Sequence, residues 1–265
     1  MSESENLKVV FNVSKMPSLR EPYLVCGWPG SGYVGRLAVE HLVKELDAKL
    51  LADIYSYSFP PQVVIRSDGV ADLMKNSMYY WKGGGGGDGN KPDMLLLTGD
   101  AQPAMPEAEY LLVDEVLNLT SRFKTHTVFT LAAYITGVFV DKPKVYATAT
   151  DPAFLKEFES RGMLTMDGGG ITGMNGLLIG VAKLKGMRGV CLLGETSGYV
   201  VDAKASKAVL QALLDVIDMK VDMENLEKRA KETEMLIKTI EQQMRKGGPG
   251  EQPQREPGRD LGYIS

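Results

Sequence analysis

The residues whose type and spacing best suit chemistry begin at Gly30-Ser31-Gly32-Tyr33-Val34-Gly35, which satisfies G-x-G-x-x-G. The run follows the apolar stretch Tyr23-Leu24-Val25-Cys26 and opens a helical pattern, with Asp53 eighteen residues after Gly35. In a dinucleotide site such glycines let backbone N–H groups approach a pyrophosphate at a helix N-terminus, while the acid holds the ribose. The same glycines serve a tight turn with close helix–strand packing. That reading is preferred, because Trp28-Pro29 separates strand from fingerprint. Gly30 and Gly32 are therefore expected to matter more for folding than for ligand chemistry. Glu195 and Asp202 flank the turn after the apolar run Gly189–Leu193, at what should be the carboxyl end of a strand, where open α/β sheets bind ligands. Gly30, Ser31, Gly32, Glu195 and Asp202 thus form a candidate ligand cleft, with helix capping and loop duties as the competing role of the two acids.

Other chemistry is thinly supplied. Ser31 and Ser197 lie in Pro-Gly-Ser-Gly-Tyr and Glu-Thr-Ser-Gly-Tyr, neither of which is the G-x-S-x-G nucleophile turn. His41 follows a helical pattern beside Leu37 and Leu42, and His126 precedes Thr127-Val128-Phe129, so both are expected to be structural. Asp114 and Glu115 are one step apart on a helix and do not converge as an acid/base pair. The two cysteines, Cys26 and Cys191, sit in apolar runs as small hydrophobes, and two cysteines make no zinc spacing. Neither a metal nor a cofactor is expected.

The elements that must position these residues follow from periodicity. Short apolar runs alternate with helical patterns, the sequence form of an α/β fold with a mostly parallel or mixed sheet flanked by helices. Tyr23–Cys26, a helix and Leu50–Ala52 make a first βαβ unit. Further strands are expected at Gln62–Ile65, Met78–Trp81, Met94–Thr98, Thr127–Ala132, Lys144–Thr148 and Gly189–Leu193, and helices near Glu107–Ser121, Pro152–Arg161, Gly173–Lys185 and Asp202–Ile217. Gly83–Asn90, nearly all glycine, predicts a mobile loop. Met219, Met223, Leu226, Ala230, Thr233, Ile237, Ile240 and Met244 recur with 4-3 spacing, a heptad seam that predicts a helix over 219–246. That helix either lies along its own domain or pairs with a partner. Residues 1–218 are read as the α/β domain and 247–265 as a flexible tail.

The 265 residues include 30 basic and 34 acidic side chains, a net charge of −4, which gives no field favouring nucleic acid or an anionic membrane. The acidic start, Met1-Ser2-Glu3-Ser4-Glu5, is unlike a signal peptide, and no apolar run approaches the length of a membrane span. A cytoplasmic location is expected.

Four separated segments resemble one family. They are Gly27–Gly35, Thr98-Gly99-Asp100-Ala101-Gln102-Pro103, Ile171–Leu178, and Leu193-Gly194-Glu195-Thr196-Ser197 followed by Asp202-Ala203-Lys204-Ala205. Together they are similar to the proteasome assembly chaperone family, in its archaeal branch related to the second eukaryotic proteasome assembly chaperone. The resemblance covers about residues 7–218. It implies an α/β domain similar to the purine-nucleoside-phosphorylase fold, and a non-enzymatic role in binding proteasome α-subunits, in a homo-oligomer. It also implies docking through a C-terminal hydrophobic-tyrosine-any tripeptide, whose ring enters an inter-subunit pocket while the carboxylate meets a lysine. Here the sequence ends Leu261-Gly262-Tyr263-Ile264-Ser265, so the tyrosine is third from the end, not second. Leu261, Tyr263, Ile264 and Ser265 are the candidate docking residues, with Ile264 as an alternative anchor.

Overall fold

Apolar stretches too short for helices, rich in Val, Leu and Ile, become strands, and the longer amphipathic stretches become the helices that cover them. The computed structural model describes residues 7–84 and 91–246. In chain order its elements are β1 (Leu7–Phe11), β2 (Tyr23–Cys26), α1 (Val34–Glu45), β3 (Lys49–Ser56), β4 (Val63–Ile65), β5 (Ala71–Leu73), β6 (Asn76–Trp81), β7 (Met94–Gly99) and α2 (Pro106–Ser121). There follow β8 (Thr127–Ile135), β9 (Val145–Ala149), α3 (Pro152–Glu159), β10 (Leu164–Thr165), α4 (Gly173–Leu184), β11 (Arg188–Thr196), α5 (Ala203–Val216) and α6 (Glu224–Lys246).

Nine strands form one mixed sheet in the order β1-β3-β6-β7-β2-β8-β11-β9-β10, and β4 and β5 make a separate ribbon. Its centre, β7-β2-β8-β11, is wholly parallel, while β6, β3, β1 and β9 each run antiparallel to their inner neighbours and β10 runs parallel to β9. Strand alternation sends Val25, Leu96, Phe129 and Leu192 to one core, covered by α1, α3 and α5. Leu24, Leu95, Leu97 and Val128 go to the other, covered by α2 and α4. Among the described residues no helix is long and apolar enough to cross a membrane.

Three expectations change. The βαβ unit from β2 through α1 to β3 exists, but β7 and β6 stand between its two strands. Gly83 is no part of a free loop: it is buried, its N–H donates to Asp93 Oδ1 at 2.9 Å, and a Cβ there would meet Lys91 O at 2.0 Å. Gly85–Asn90 lie outside the described residues. The helix expected from Met219 begins at Glu224, because Asp218 takes a left-handed φ of 51° that breaks the chain after α5. Met219 then packs into the core from the linker between α5 and α6, and Leu226 and Ala230 lay α6 against its own domain.

Candidate functional site

The carboxyl ends of the four central parallel strands gather all four motif segments. β2 runs into a short 3-10 turn at Ser31–Tyr33 and then α1, β7 into Gly99–Pro103, and β11 into the stretch that ends at α5. α4 starts beside them. Gln102 joins three of these parts: its Nε2 donates to Pro29 O at 2.8 Å and its Oε1 accepts the Met174 N–H at 2.8 Å. Gly173 has φ +74°, and a Cβ there would come within 2.5 Å of the Gln102 oxygen, so a side chain would push Gln102 off α4. Trp28 is 1% exposed, with its indole N–H on Asn76 Oδ1 at 2.7 Å, and Asn76 Nδ2 donates to Ala101 O at 3.2 Å. A buried Trp needs such an acceptor.

The glycine turn packs backbone against backbone. A Cβ on Gly35 would lie 1.9 Å from Leu131 O, and one on Gly27 would lie 2.3 Å from Gly35 O, so α1 crosses β2 and β8 at a distance only glycine permits. Gly32 is buried with φ +63°, and a Cβ would meet Thr196 Oγ1 and Asp202 Cβ. Gly30 differs from the expectation placed on it. Its backbone is extended at φ −168°, and nothing lies within 4 Å of where its Cβ would be, so neither conformation nor space calls for glycine. Ser31 is half-buried beside it.

Asp202 meets this turn. Its N–H donates to Gly32 O at 2.8 Å, while its carboxylate accepts Thr196 Oγ1 at 2.7 Å and the Ala205 N–H at 2.9 Å as the N-cap of α5. Glu195 points to the opposite face of the sheet, since successive strand residues alternate. There its carboxylate accepts the Lys144 N–H at 2.9 Å and the Tyr146 hydroxyl at 3.2 Å, next to the stacked Tyr134–Tyr146 pair. Burial and then the bond to Glu195 push the Tyr146 hydroxyl above its usual range. Gly32 and Asp202 thus come together, Glu195 does not join them, and both acids hold structural partners.

The remaining candidates are accounted for similarly. Asp53 accepts Lys75 Nζ at 2.8 Å and Ser77 Oγ at 2.6 Å on β3, three strands from the glycine turn, so it does not stand beside that turn as a ribose-binding acid stands in a dinucleotide fold. His41 is 7% exposed with Nε2 2.7 Å from Asp222 O, tying the linker before α6 to α1. His126 is exposed, and Ser197 Oγ accepts the Tyr199 N–H at 3.3 Å. Burial pushes the Cys26 thiol well up and Cys191 to about 12, so both stay neutral and unreactive. Sequence reasoning passed over Asn76, which carries no local signal because its two partners, Trp28 and Ala101, are remote in sequence.

Two shallow openings are lined in part by residues of these motif segments, Lys204 in one and Ile171 and Gly176 in the other. One, about 460 Å³, runs between α5 and α6 past Lys204, Lys207, Glu227 and Glu234. The other, about 320 Å³, lies under Gly168–Ile171 beside α4.

The geometry agrees with known relatives. PbaB of Pyrococcus furiosus, an archaeal proteasome activator, superposes with a TM-score of 0.81 at 36% identity, covering 89% of this chain and 99% of its own. PbaA of the same organism, an archaeal homolog of proteasome-assembly chaperone, gives a TM-score of 0.71 at 27% identity over 91% of this chain and 94% of its own. An uncharacterized protein of Methanocaldococcus jannaschii is 36% identical over 256 residues, 95% of each chain. The PAC2 family model matches residues 24–241, which takes in the whole hub from β2 to α5, and the chain belongs to the PAC2 family.

Proposed function

We propose that this chain is a non-enzymatic, chaperone-like proteasome factor that acts as a homo-oligomer in the cytoplasm and binds α-subunits or the assembled α-ring. The observation that carries the reading is the likeness to PbaB, which is close in both sequence and shape across nearly the whole of that chain. The hub supports it. Asp202, Glu195, Asp53 and Gln102 are held by internal hydrogen bonds, as a scaffold requires, and do not converge on a common point. Part of the contact is assigned to Leu261, Tyr263, Ile264 and Ser265, which lie outside the described residues. A tether with the composition of Gly247–Asp260 reaches roughly 20 Å. Several copies of such a tail on one oligomer would bind a ring by avidity.

Pull-down and light scattering with recombinant α-subunits test the reading. Wild type should bind, and deleting the last five residues should weaken binding strongly while leaving oligomer and stability unchanged. Tyr263→Ala should do most of the same damage, unless Ile264→Ala proves the more harmful. Equal binding by the deletion variant removes the tail from the reading, and no binding by wild type removes the reading itself. A nucleotide that raises the Tm would instead move the function to the Gly30–Gly35 turn, since a specific ligand at 100 times its Kd adds about 2.7 kcal/mol.

A further inference from the structure

The connection from β8 to β9, residues 136–144, and the stretch from β11 to α5, residues 197–202, leave the sheet side by side, because Ile135 pairs with Thr196 where the two strands end. The Thr136 N–H donates to Thr196 O at 2.9 Å, and further on Lys204 Nζ reaches Asp141 at 3.5 Å. The two loops touch at two glycines. A Cβ on Gly198 would lie 3.3 Å from Ile135 Cγ2, and one on Gly137 would lie 3.9 Å from the Tyr199 hydroxyl. Val138 follows Gly137 directly, and Val201 stands two residues beyond Tyr199. Yet Ile135, Val138, Tyr199 and Val201 are 60%, 61%, 75% and 52% exposed. None of the four belongs to the segments that carry the family resemblance. Loops that are bonded to each other and still hold large apolar side chains in water have the form of a docking surface.

We infer that these four residues are the seat of the chain's own last residues, Leu261–Ile264, which rest there until an α-ring takes them; the inference rests on the tail's part in the proposed function. Size selects this occupant. The four side chains expose roughly 400 Å², about half of what one partner gives to a standard protein interface, and so suit a short apolar peptide better than a whole protein face. Leu261-Gly262-Tyr263-Ile264 is such a peptide. Reach selects it too. α6 passes beside the patch, where Thr233 Oγ1 donates to Val201 O at 3.3 Å. From Thr233 the helix runs about 20 Å to its end at Lys246. A tether with the composition of Gly247–Asp260 spans roughly the same 20 Å, so the chain end can return to where the helix left. Contact over a tether of this kind acts at about millimolar effective concentration, so a weak one suffices. Lys142 and Lys144, exposed in the same connection as Val138, supply cations for the terminal carboxylate. A seated tail must be released before it docks, which lowers the apparent affinity for a ring by the fraction that is free.

Disulfide trapping on the full chain, without proteasome subunits, tests the seat. Ser265→Cys keeps Leu261, Tyr263 and Ile264, and the native Cys26 and Cys191 are buried and neutral, so neither competes. Under a mild disulfide oxidant, Ser265→Cys with Val138→Cys should crosslink within one chain several-fold faster than Ser265→Cys with Ile65→Cys, a site of similar exposure on the β4–β5 ribbon. Adding Tyr263→Ala and Ile264→Ala should remove that difference. Equal rates, a difference that survives both alanines, or a crosslink that joins two chains overturns the inference. Should the cysteine pairs misfold, hydrogen exchange decides: residues 197–202 should exchange several-fold faster once Leu261–Ser265 are deleted, and unchanged exchange overturns the inference. Tyr199→Asp spoils the seat and keeps the tail, so it should bind α-rings several-fold more tightly than wild type. Equal binding overturns the release step, and weaker binding makes the patch a ring contact instead. If the wild type binds no ring, the proposed function fails while the trapping result stands.

Discussion

The hub at the strand ends and the periphery formed by the ribbon and α6 treat side chains in opposite ways. In the hub, Trp28, Asn76, Gln102, Thr196 and Asp202 each find a partner within the chain, and Gly27 and Gly35 are squeezed until no side chain fits. At the periphery, Ile65 and Leu73 face water, and Met235 on α6 is 68% exposed. The segments that carry the family resemblance are therefore held as scaffold, and the large apolar side chains exposed on the ribbon and α6 lie in regions that the resemblance does not mark. Substitutions should separate the two: hub variants should lose stability, and peripheral variants should keep it.

The sharpest separation is expected at Gly35. Gly35→Ala forces a methyl to within 1.9 Å of Leu131 O, a backbone atom of a central strand that cannot give way. Overpacking of that kind should cost about 3 kcal/mol or more, read as a lower denaturation midpoint or as failure to fold. Asp202→Ala comes next: it removes the cap of α5 and leaves the buried Thr196 hydroxyl without its acceptor, for about 2 kcal/mol in denaturant unfolding. Gly32→Ala should cost about 1–2 kcal/mol through its positive φ. Gly30→Ala should stay within about 0.5 kcal/mol, having neither strain nor contact. If Gly30→Ala were as harmful as Gly32→Ala and abolished binding of a nucleotide, the hub would be a ligand site after all.

The same contrast explains what the sequence made legible. Deeply buried elements announce themselves by periodicity: the helix expected near Glu107–Ser121 spans Pro106–Ser121, and the strand expected at Met94–Thr98 spans Met94–Gly99. β1, β5 and β10 were missed. They are largely exposed, and two to five residues are too few for an alternation of apolar and polar residues to mark a strand. The glycine fingerprint showed a strand–turn–helix and its tight packing, yet spacing alone could not reveal that β6 and β7 would insert between β2 and β3 and take Asp53 away from the turn. The 4-3 spacing from Met219 ran too far for a related reason. An apolar residue entering a core from a linker, as Met219 does, reads the same as one on a helix seam.

The smallest effect is expected where α6 meets α5. Leu226 and Ala230 supply the apolar contact, and Lys207 Nζ to Glu227 Oε1 at 2.6 Å, with Lys204 Nζ to Glu234 Oε2 at 3.6 Å, flank it. The Lys207 hydrogen bond holds Glu227 below the usual 4.5, assisted by Lys231 and opposed by Asp222. Glu234 is likewise lowered from 4.5, first by the hydrogen bond from Lys238 and then by the charge of Lys204, which also reaches Asp141. Carboxylates depressed in the folded state contribute stability that is fully present above their ordinary value and lost as the pH falls through the folded one. Docking of α6 should therefore be pH-independent above 4.5 and loosen below it, and it should also weaken with salt, because these pairs are largely exposed. Amide resonances of Leu226–Thr233 should move in an acid titration while those of β11 stay fixed. The Glu227→Gln, Glu234→Gln double variant should show part of that shift at neutral pH and respond less to acid. An unchanged acid response in the double variant would assign the loosening to another carboxylate, such as Glu45, which accepts Asn225 Nδ2 at 3.2 Å.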